Sequence, residues 1–250
     1  MLFMGTPDFA VPILEKLIKR YEIAGVVTQP DRRAGRGRKV EAPPVKAVAL
    51  AHGLRVLQPP SLRQPEVVAE LRTLAPEAIV VAAYGQILPP EVLGIPPKGC
   101  LNVHASLLPK YRGAAPIAAA ILAGEEETGV TIMLMDEGMD TGPILSQATC
   151  PISPQDTRES LSARLAQLGA DLLMDTLPRW LAGEIEPRPQ DHSQATYSRI
   201  ITKQDGLIDW SLSAVEIWRR CRAHYPWPGA YTYWRGKMLK VLRACLLYTS

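Results

Sequence analysis

Residues 99–113 read GCLNVHASLLPKYRG, and their pattern decides the fold. The stretch opens as an apolar strand. Asn102, His104 and Ser106 follow at two-residue spacing, so while the strand lasts their side chains leave from one face. Pro109 ends the strand, and a basic turn closed by Gly113 follows. A polar Asn-x-His-x-Ser row at the end of an apolar strand is poor core material. It suits an open α/β sheet, where ligands bind outside the carboxyl ends of the strands. The competing reading is a buried histidine satisfied by its neighbours.

Residues 129–144, GVTIMLMDEGMDTGPI, answer the first stretch. A second apolar strand runs out into Asp136, Glu137 and Asp140 among glycines. A carboxylate at one strand end can meet an imidazole at another. Such a pair favours the charged imidazole and suits acid–base chemistry near neutral pH. The plainer reading is an Asp-Gly turn that only reverses the chain. Spacing does not choose among the three carboxylates.

Outward from these stretches, strand-like runs are predicted at 1–4, 23–28, 54–57, 78–84, 101–104, 130–135 and 144–150. Helical patterns fall between them, from 7 or 8 to 20 and at 43–52, 64–74, 114–124 and 157–183. Alternation of this kind gives an α/β domain with a mostly parallel, Rossmann-like sheet. The fourth strand, AIVVAAY, is apolar throughout, as expected when helices cover both faces. GTPDFA, after the first strand, has one glycine and is not GxGxxG, which weakens a dinucleotide reading.

Between the second strand and the next helix lies TQPDRRAGRGRK (28–39), with Arg32, Arg33, Arg36, Arg38 and Lys39 inside eight positions. A charge run is commonly a solvated loop. Here arginine outnumbers lysine, which suits phosphate, and glycine interleaves it, which suits a loop that orders on a nucleic-acid backbone. Net charge is only +3, so a nucleic-acid partner rests on where the charge lies.

The 250 residues allow one large or two modest domains, and 47% apolar with 21% charged residues excludes a disordered chain. No apolar run reaches the roughly 18 residues of a membrane span, and no signal peptide is apparent. A cytoplasmic protein without membrane contact is expected. Cys100, Cys150, Cys221 and Cys245 form no CxxC, so neither a zinc site nor a secreted disulfide framework is expected, and no metal at all. The polar stretch from 184 to 206 reads as a linker between domains at 1–183 and 207–250. In the second, a helix is expected from 209 to 222, capped by Ser211 or Ser213, and then two strands.

Asn102-x-His104, SLLPKYRG and GVTIMLMDEGMDTGPI resemble the 10-formyltetrahydrofolate-dependent formyltransferases. GTPDFAVP and TQPDRRAGRGRK narrow the resemblance to the branch that formylates initiator methionyl-tRNA. It covers nearly the whole chain. It implies a Rossmann-like catalytic domain followed by the start of an OB-like β-barrel. The chain is expected to stop inside that barrel, with 245–250 read as a non-native scar. Asn102, His104 and Asp140 are implied as the catalytic set. Ser106, Leu107, Leu108 and Pro109 would line the folate pocket, with Tyr84 and Gln86 as further candidates. Arg32, Arg33, Arg36, Arg38 and Lys39 would meet the tRNA acceptor stem. The donor would be 10-formyltetrahydrofolate, the acceptor initiator methionyl-tRNA, and the protein a monomer. Two alternatives stay open. One is a related formyltransferase or formyl-folate hydrolase acting on a small substrate, against which the basic run argues. The other is a non-catalytic RNA- or nucleotide-binding Rossmann module, in which Asn102, His104 and Asp140 would be scattered.

Overall fold

The computed structural model describes residues 1–34 and 39–247. The chain opens with β1 (Leu2–Gly5), a 3-10 turn at Asp8–Ala10, α1 (Val11–Ile18) and β2 (Gly25–Val27). A hairpin of β3 (Arg32–Ala34) and β4 (Lys39–Glu41) precedes α2 (Pro44–Ala51), β5 (Val56–Leu57), α3 (Pro65–Thr73) and β6 (Ile79–Ala82). After the short α4 (Pro90–Leu93) come β7 (Cys100–His104), β8 (Arg112–Gly113), α5 (Pro116–Ala123), β9 (Glu127–Leu134) and β10 (Ile144–Pro151). The long α6 (Arg158–Leu181) leads to β11 (Tyr197–Ser198), α7 (Ala214–Ala223) and a hairpin of β12 (Ala230–Trp234) and β13 (Lys237–Val241).

Seven strands form the main sheet in the order β10-β9-β7-β6-β1-β2-β5. Strands β7, β6, β1, β2 and β5 run parallel, while β9 is antiparallel to both β7 and β10. The mostly parallel sheet is thus as expected, with an antiparallel pair at one edge. Alternate strand residues feed two apolar layers. Phe3, Val26, Val80 and Val103 pack with α1, α2, α5 and α6 on one face. Leu2, Met4, Val27 and Val81 pack with Leu62, Val68, Leu71 and Val92 on the other. Strands buried on both faces read as continuous apolar runs, which is why the sheet was visible in sequence.

Strand order reverses between β1 and β6. A crevice outside the carboxyl ends of the strands at such a point is the favoured ligand position. The same edge carries the end of β7, where His104 lies, and the exit of β2 into the β3–β4 hairpin. The run 28–39 is therefore not wholly a loop: its flanks pair, Arg32 with Glu41 and Ala34 with Lys39. Arg36 and Arg38 lie outside the described residues.

The helix expected from 209 begins instead at Ala214. Ser213 and Glu216 form a reciprocal capping box that fixes the start, while Asp209 Oδ1 accepts from Ser211 and holds a separate turn. This C-terminal part is joined to the first by Arg222, which donates to the carbonyls of Ser153 and Asp156, and by Arg158, which donates to Trp227 O. Among the described residues no helix is long and apolar enough to cross a membrane.

His224 sits at the end of α7, 2% exposed. Burial, helped by Arg220, Arg158 and Arg199 and opposed by Asp205, pushes its pKa down to about 4. The unfolded chain takes up this proton near pH 6.5 and the folded chain only near 4. Stability held above pH 6.5 is therefore lost as pH falls towards 4, on the order of 2–3 kcal/mol. Urea unfolding followed by tryptophan fluorescence at pH 7.5 and 4.5 is expected to show this loss, and His224→Gln should reduce it. Equal pH dependence in parent and variant would refute the assignment.

Candidate active site

The register of the sheet sets the first two side chains. On β7, Asn102 lies opposite Val81 of β6 and Met133 of β9, and His104 opposite Thr131. Thr131 braces the chain as it leaves β7: its hydroxyl donates to Ser106 O at 2.7 Å and accepts from Leu108 N at 3.1 Å. Gln147 of β10 adds bonds to Leu108 O and Thr131 Oγ1. The Ser106 hydroxyl closes the next turn on Lys110 O at 2.6 Å.

Asp140 arrives from the acidic turn after β9 and completes the group. Its Oδ1 accepts from Asn102 Nδ2 at 3.3 Å, and its Oδ2 from Gly113 N at 2.8 Å. His104 Nδ1 stands 3.6 Å from the same Oδ2. The imidazole is 6% exposed, and its other nitrogen, Nε2, lies 3.1 Å from Tyr111 O. A carbonyl only accepts, so Nε2 is the nitrogen that donates to it and Nδ1 is the one that faces the carboxylate.

Three carboxylates were open from spacing, and the structure separates them. Asp136 Oδ1 accepts from Gly138 N and from the Thr141 hydroxyl, bracing the turn. Glu137 is exposed. Asp140 alone of the three joins Asn102 and His104. Its φ of +53° lies in the left-handed region, which Asp tolerates better than most residues. The backbone there is thus turned to bring a carboxylate inward.

The remaining sequence candidates fall less neatly. Ser106 and Leu108 turn inward, Leu108 into an apolar cluster with Met133 and Ile144. Leu107 and Pro109 are half-buried and keep surface to offer. Tyr84 is packed among the apolar residues beneath α3 and α4, and burial pushes its hydroxyl up to about 12. Gln86 is occupied by Leu62 N and Pro59 O. Neither joins the Asn102–His104–Asp140 network. Of the basic set, Arg32 is exposed and donates to Gln29 Oε1 at 3.0 Å; Arg33 and Lys39 are paired across the hairpin through their strands. Exposed Ile87, after β6, and Met139, beside Asp140, put apolar surface near the same edge. Among the described residues no group of His, Cys, Asp and Glu is arranged to hold a metal.

Two residues of the site had no functional signal in sequence. Arg112 is 1% exposed. Its guanidinium donates to Gln190 Oε1 at 3.2 Å from Nε and 2.7 Å from Nη2, and Nη2 lies 3.1 Å from His192 Nδ1. Gln190 belongs to the polar stretch expected as a linker. That stretch runs back across the site. Arg188 bridges to Ile144, and β11 pairs in parallel with β8. Tyr111 N donates to the Thr196 hydroxyl at 2.8 Å.

A family model described as "Formyl transferase" matches residues 1–177, and one described as "Formyl transferase, C-terminal domain" matches residues 200–250. The methionyl-tRNA formyltransferase of Chloroflexus aurantiacus is 58% identical over 98% of this chain and 80% of its own length. That of Geobacter sulfurreducens is 51% identical over 98% of this chain and 78% of its own. Among solved structures, a sugar N-formyltransferase from a Shewanella species superposes with a TM-score of 0.75 at 21% identity, covering 99% of this chain and 98% of that one. HypX from Aquifex aeolicus, in complex with tetrahydrofolic acid, gives 0.70 at 18% identity, covering 95% of this chain and 36% of that one. At these identities the two structures speak for the fold.

Proposed function

The chain belongs to the formyl transferase family, and we propose that it moves the formyl group of 10-formyltetrahydrofolate to the amino group of initiator methionyl-tRNA. The observation that carries this reading is convergence. Asn102, His104 and Asp140, up to 38 positions apart, meet at the carboxyl edge of the sheet, Asn102 hydrogen-bonded to Asp140 and His104 Nδ1 3.6 Å from its carboxylate. A non-catalytic module would have left them scattered.

The reaction needs an unprotonated amine, a stabilised oxyanion and a proton for the leaving nitrogen. The amine nitrogen attacks the formyl carbon, a C–N bond forms, and the bond to N10 of the folate breaks. Asn102 Nδ2 bonds Asp140 with one hydrogen and has a second for the oxyanion. His104 Nε2 is engaged by the Tyr111 carbonyl, so an oxyanion that reaches Nε2 displaces that carbonyl. Asp140 holds the imidazolium as negative charge grows on the substrate and relays the amine proton, directly or through a water, to N10 as the bond to it breaks. Leu107, Pro109 and the exposed Ile87 offer apolar surface to the folate ring system. One chain supplies the whole catalytic group, which suits a monomer, and both substrates suit a cytoplasmic enzyme.

The basic hairpin supports the tRNA acceptor over a small amine, because it leaves β2 at the same sheet edge as His104. Replacing Arg36 and Arg38 with alanine is expected to weaken tRNA binding and to flatten its salt dependence, since each lost phosphate contact removes released counterions. Folate affinity should hold. Unaltered tRNA affinity at low salt would remove this role. The test of the function itself is formyl transfer from 10-formyltetrahydrofolate to charged initiator tRNA, with free methionine as control acceptor. Transfer to free methionine at an equal rate would favour a small-substrate enzyme.

A further inference from the structure

We infer that Gln190 is a positioning residue for the formyl-transfer site, with Arg112 as its buried anchor; the inference rests on the function proposed above. The side-chain amide of Gln190 donates both hydrogens to the acidic turn, to Asp140 O at 2.9 Å and to Gly142 O at 2.7 Å. These two carbonyls flank Thr141, so one side chain fixes the turn that aims the Asp140 carboxylate. The other end of the amide is fixed by the two bonds from Arg112. Arg112 precedes Gly113, whose N–H holds Asp140 Oδ2. The anchor and the carboxylate contact are thus adjacent in the chain, and the loop between them is closed by Gln190.

The environment makes this arrangement stiff. Gln190 is 6% exposed, and a buried donor or acceptor left unpaired costs about 1–3 kcal/mol. Every hydrogen-bonding atom of the Gln190 side chain has a partner, and no water or substrate is needed to satisfy it. Arg112 bonds Gln190 and His192, neither of them an acid. Its buried charge thus relies on the fixed amide dipole of Gln190. The Asp140 backbone, at φ +53°, is a conformation that persists only where its surroundings hold it. Gln190 does so while touching none of the reacting atoms.

The position is also held from outside. Arg188 N and O exchange bonds with Ile144 O and N at 2.9 and 2.8 Å, which sets the chain two residues before Gln190. The pairing of β11 with β8 sets it a few residues after. A stretch that reads as a linker thus carries the site's brace into the catalytic domain.

The test uses Gln190→Glu and Gln190→Met. Gln190→Glu keeps an acceptor for Arg112 and removes both donors to the turn, so it carries the test if Gln190→Met fails to fold. Three readouts are taken on folded protein: kcat against KM for each substrate, the pH profile of kcat, and the imidazole nitrogen resonances of His104 without ligands. Displacing a catalytic group by about 1 Å costs roughly 10- to 100-fold in rate. The expected result is a loss of kcat on that scale with KM within about twofold, a displaced kcat–pH profile, and shifted His104 resonances. A variant whose kcat per folded molecule and pH profile match the parent, or whose His104 resonances do not move, overturns the inference. If the parent fails to formylate charged tRNA, the proposed function falls, while the His104 resonances still decide the role of Gln190.

Discussion

Asp140→Asn is expected to fold like the parent and to lose about a hundredfold or more of its turnover, the usual scale for one acid–base or oxyanion group. Asparagine also tolerates the left-handed backbone, so the φ of +53° at this position is not a reason for it to unfold. The hydrogen bonds can also be kept. The new amide oxygen accepts from Gly113 N, and the new amide nitrogen faces Asn102, whose own amide turns over to accept. What is lost is chemical. The negative charge 3.6 Å from His104 Nδ1 disappears, and the turned Asn102 no longer presents a donor to an oxyanion. His104→Ala should fall by a similar factor, because it removes the group that Asp140 serves. Single-turnover formyl transfer at saturating tRNA, with circular dichroism as a control for folding, measures both. Near-parent turnover in either folded variant would sink the assignment.

What sequence revealed and what it hid divide along physical lines. Strands β1, β6 and β7 are buried on both faces, and that burial writes itself as unbroken apolar runs. The polar row Asn102 and His104 stood out because it interrupts such a run. Asp140 could be named only through resemblance, since Asp136, Glu137 and Asp140 are alike in composition. They are told apart by a hydrogen-bond map that brings a turn residue back to a strand 38 positions earlier.

Gln190 and Arg112 were hidden for another reason. Arg112 lies in a basic turn, where arginine is expected to be solvated, yet it is almost wholly buried. Gln190 sits between prolines and polar residues, the composition of an exposed linker. Neither periodicity nor charge marks a residue whose work is to hold two carbonyls. The same applies to Tyr84 and Gln86. Their place at the end of β6 suggested ligand contact, but the ring packs into the core and the amide braces residues 59–62.

Gly142→Ala is expected to disable the site without touching any group that reacts. A Cβ at this position would lie 1.9 Å from Leu134 O and 3.0 Å from Leu134 C, both backbone atoms of β9. No rotamer change relieves such a contact, so the turn must move by about an ångström. Overpacking of this kind costs about 1–3 kcal/mol. The motion also carries away the Gly142 carbonyl held by Gln190 and the Pro143 carbonyl that accepts from Leu134 N at 2.9 Å. Asp140 is two residues away on the same turn, and a shift of that size costs up to about a hundredfold in rate. Gly53→Ala is the control: its φ of +67° is also unfavourable for alanine, but nothing lies within 4 Å of the added Cβ. It should cost about 1 kcal/mol of stability and leave turnover at the parent level. Urea midpoints and single-turnover rates for the two variants separate strain from misplacement. If Gly142→Ala keeps turnover within about twofold of Gly53→Ala, the acidic turn is not what aims the carboxylate.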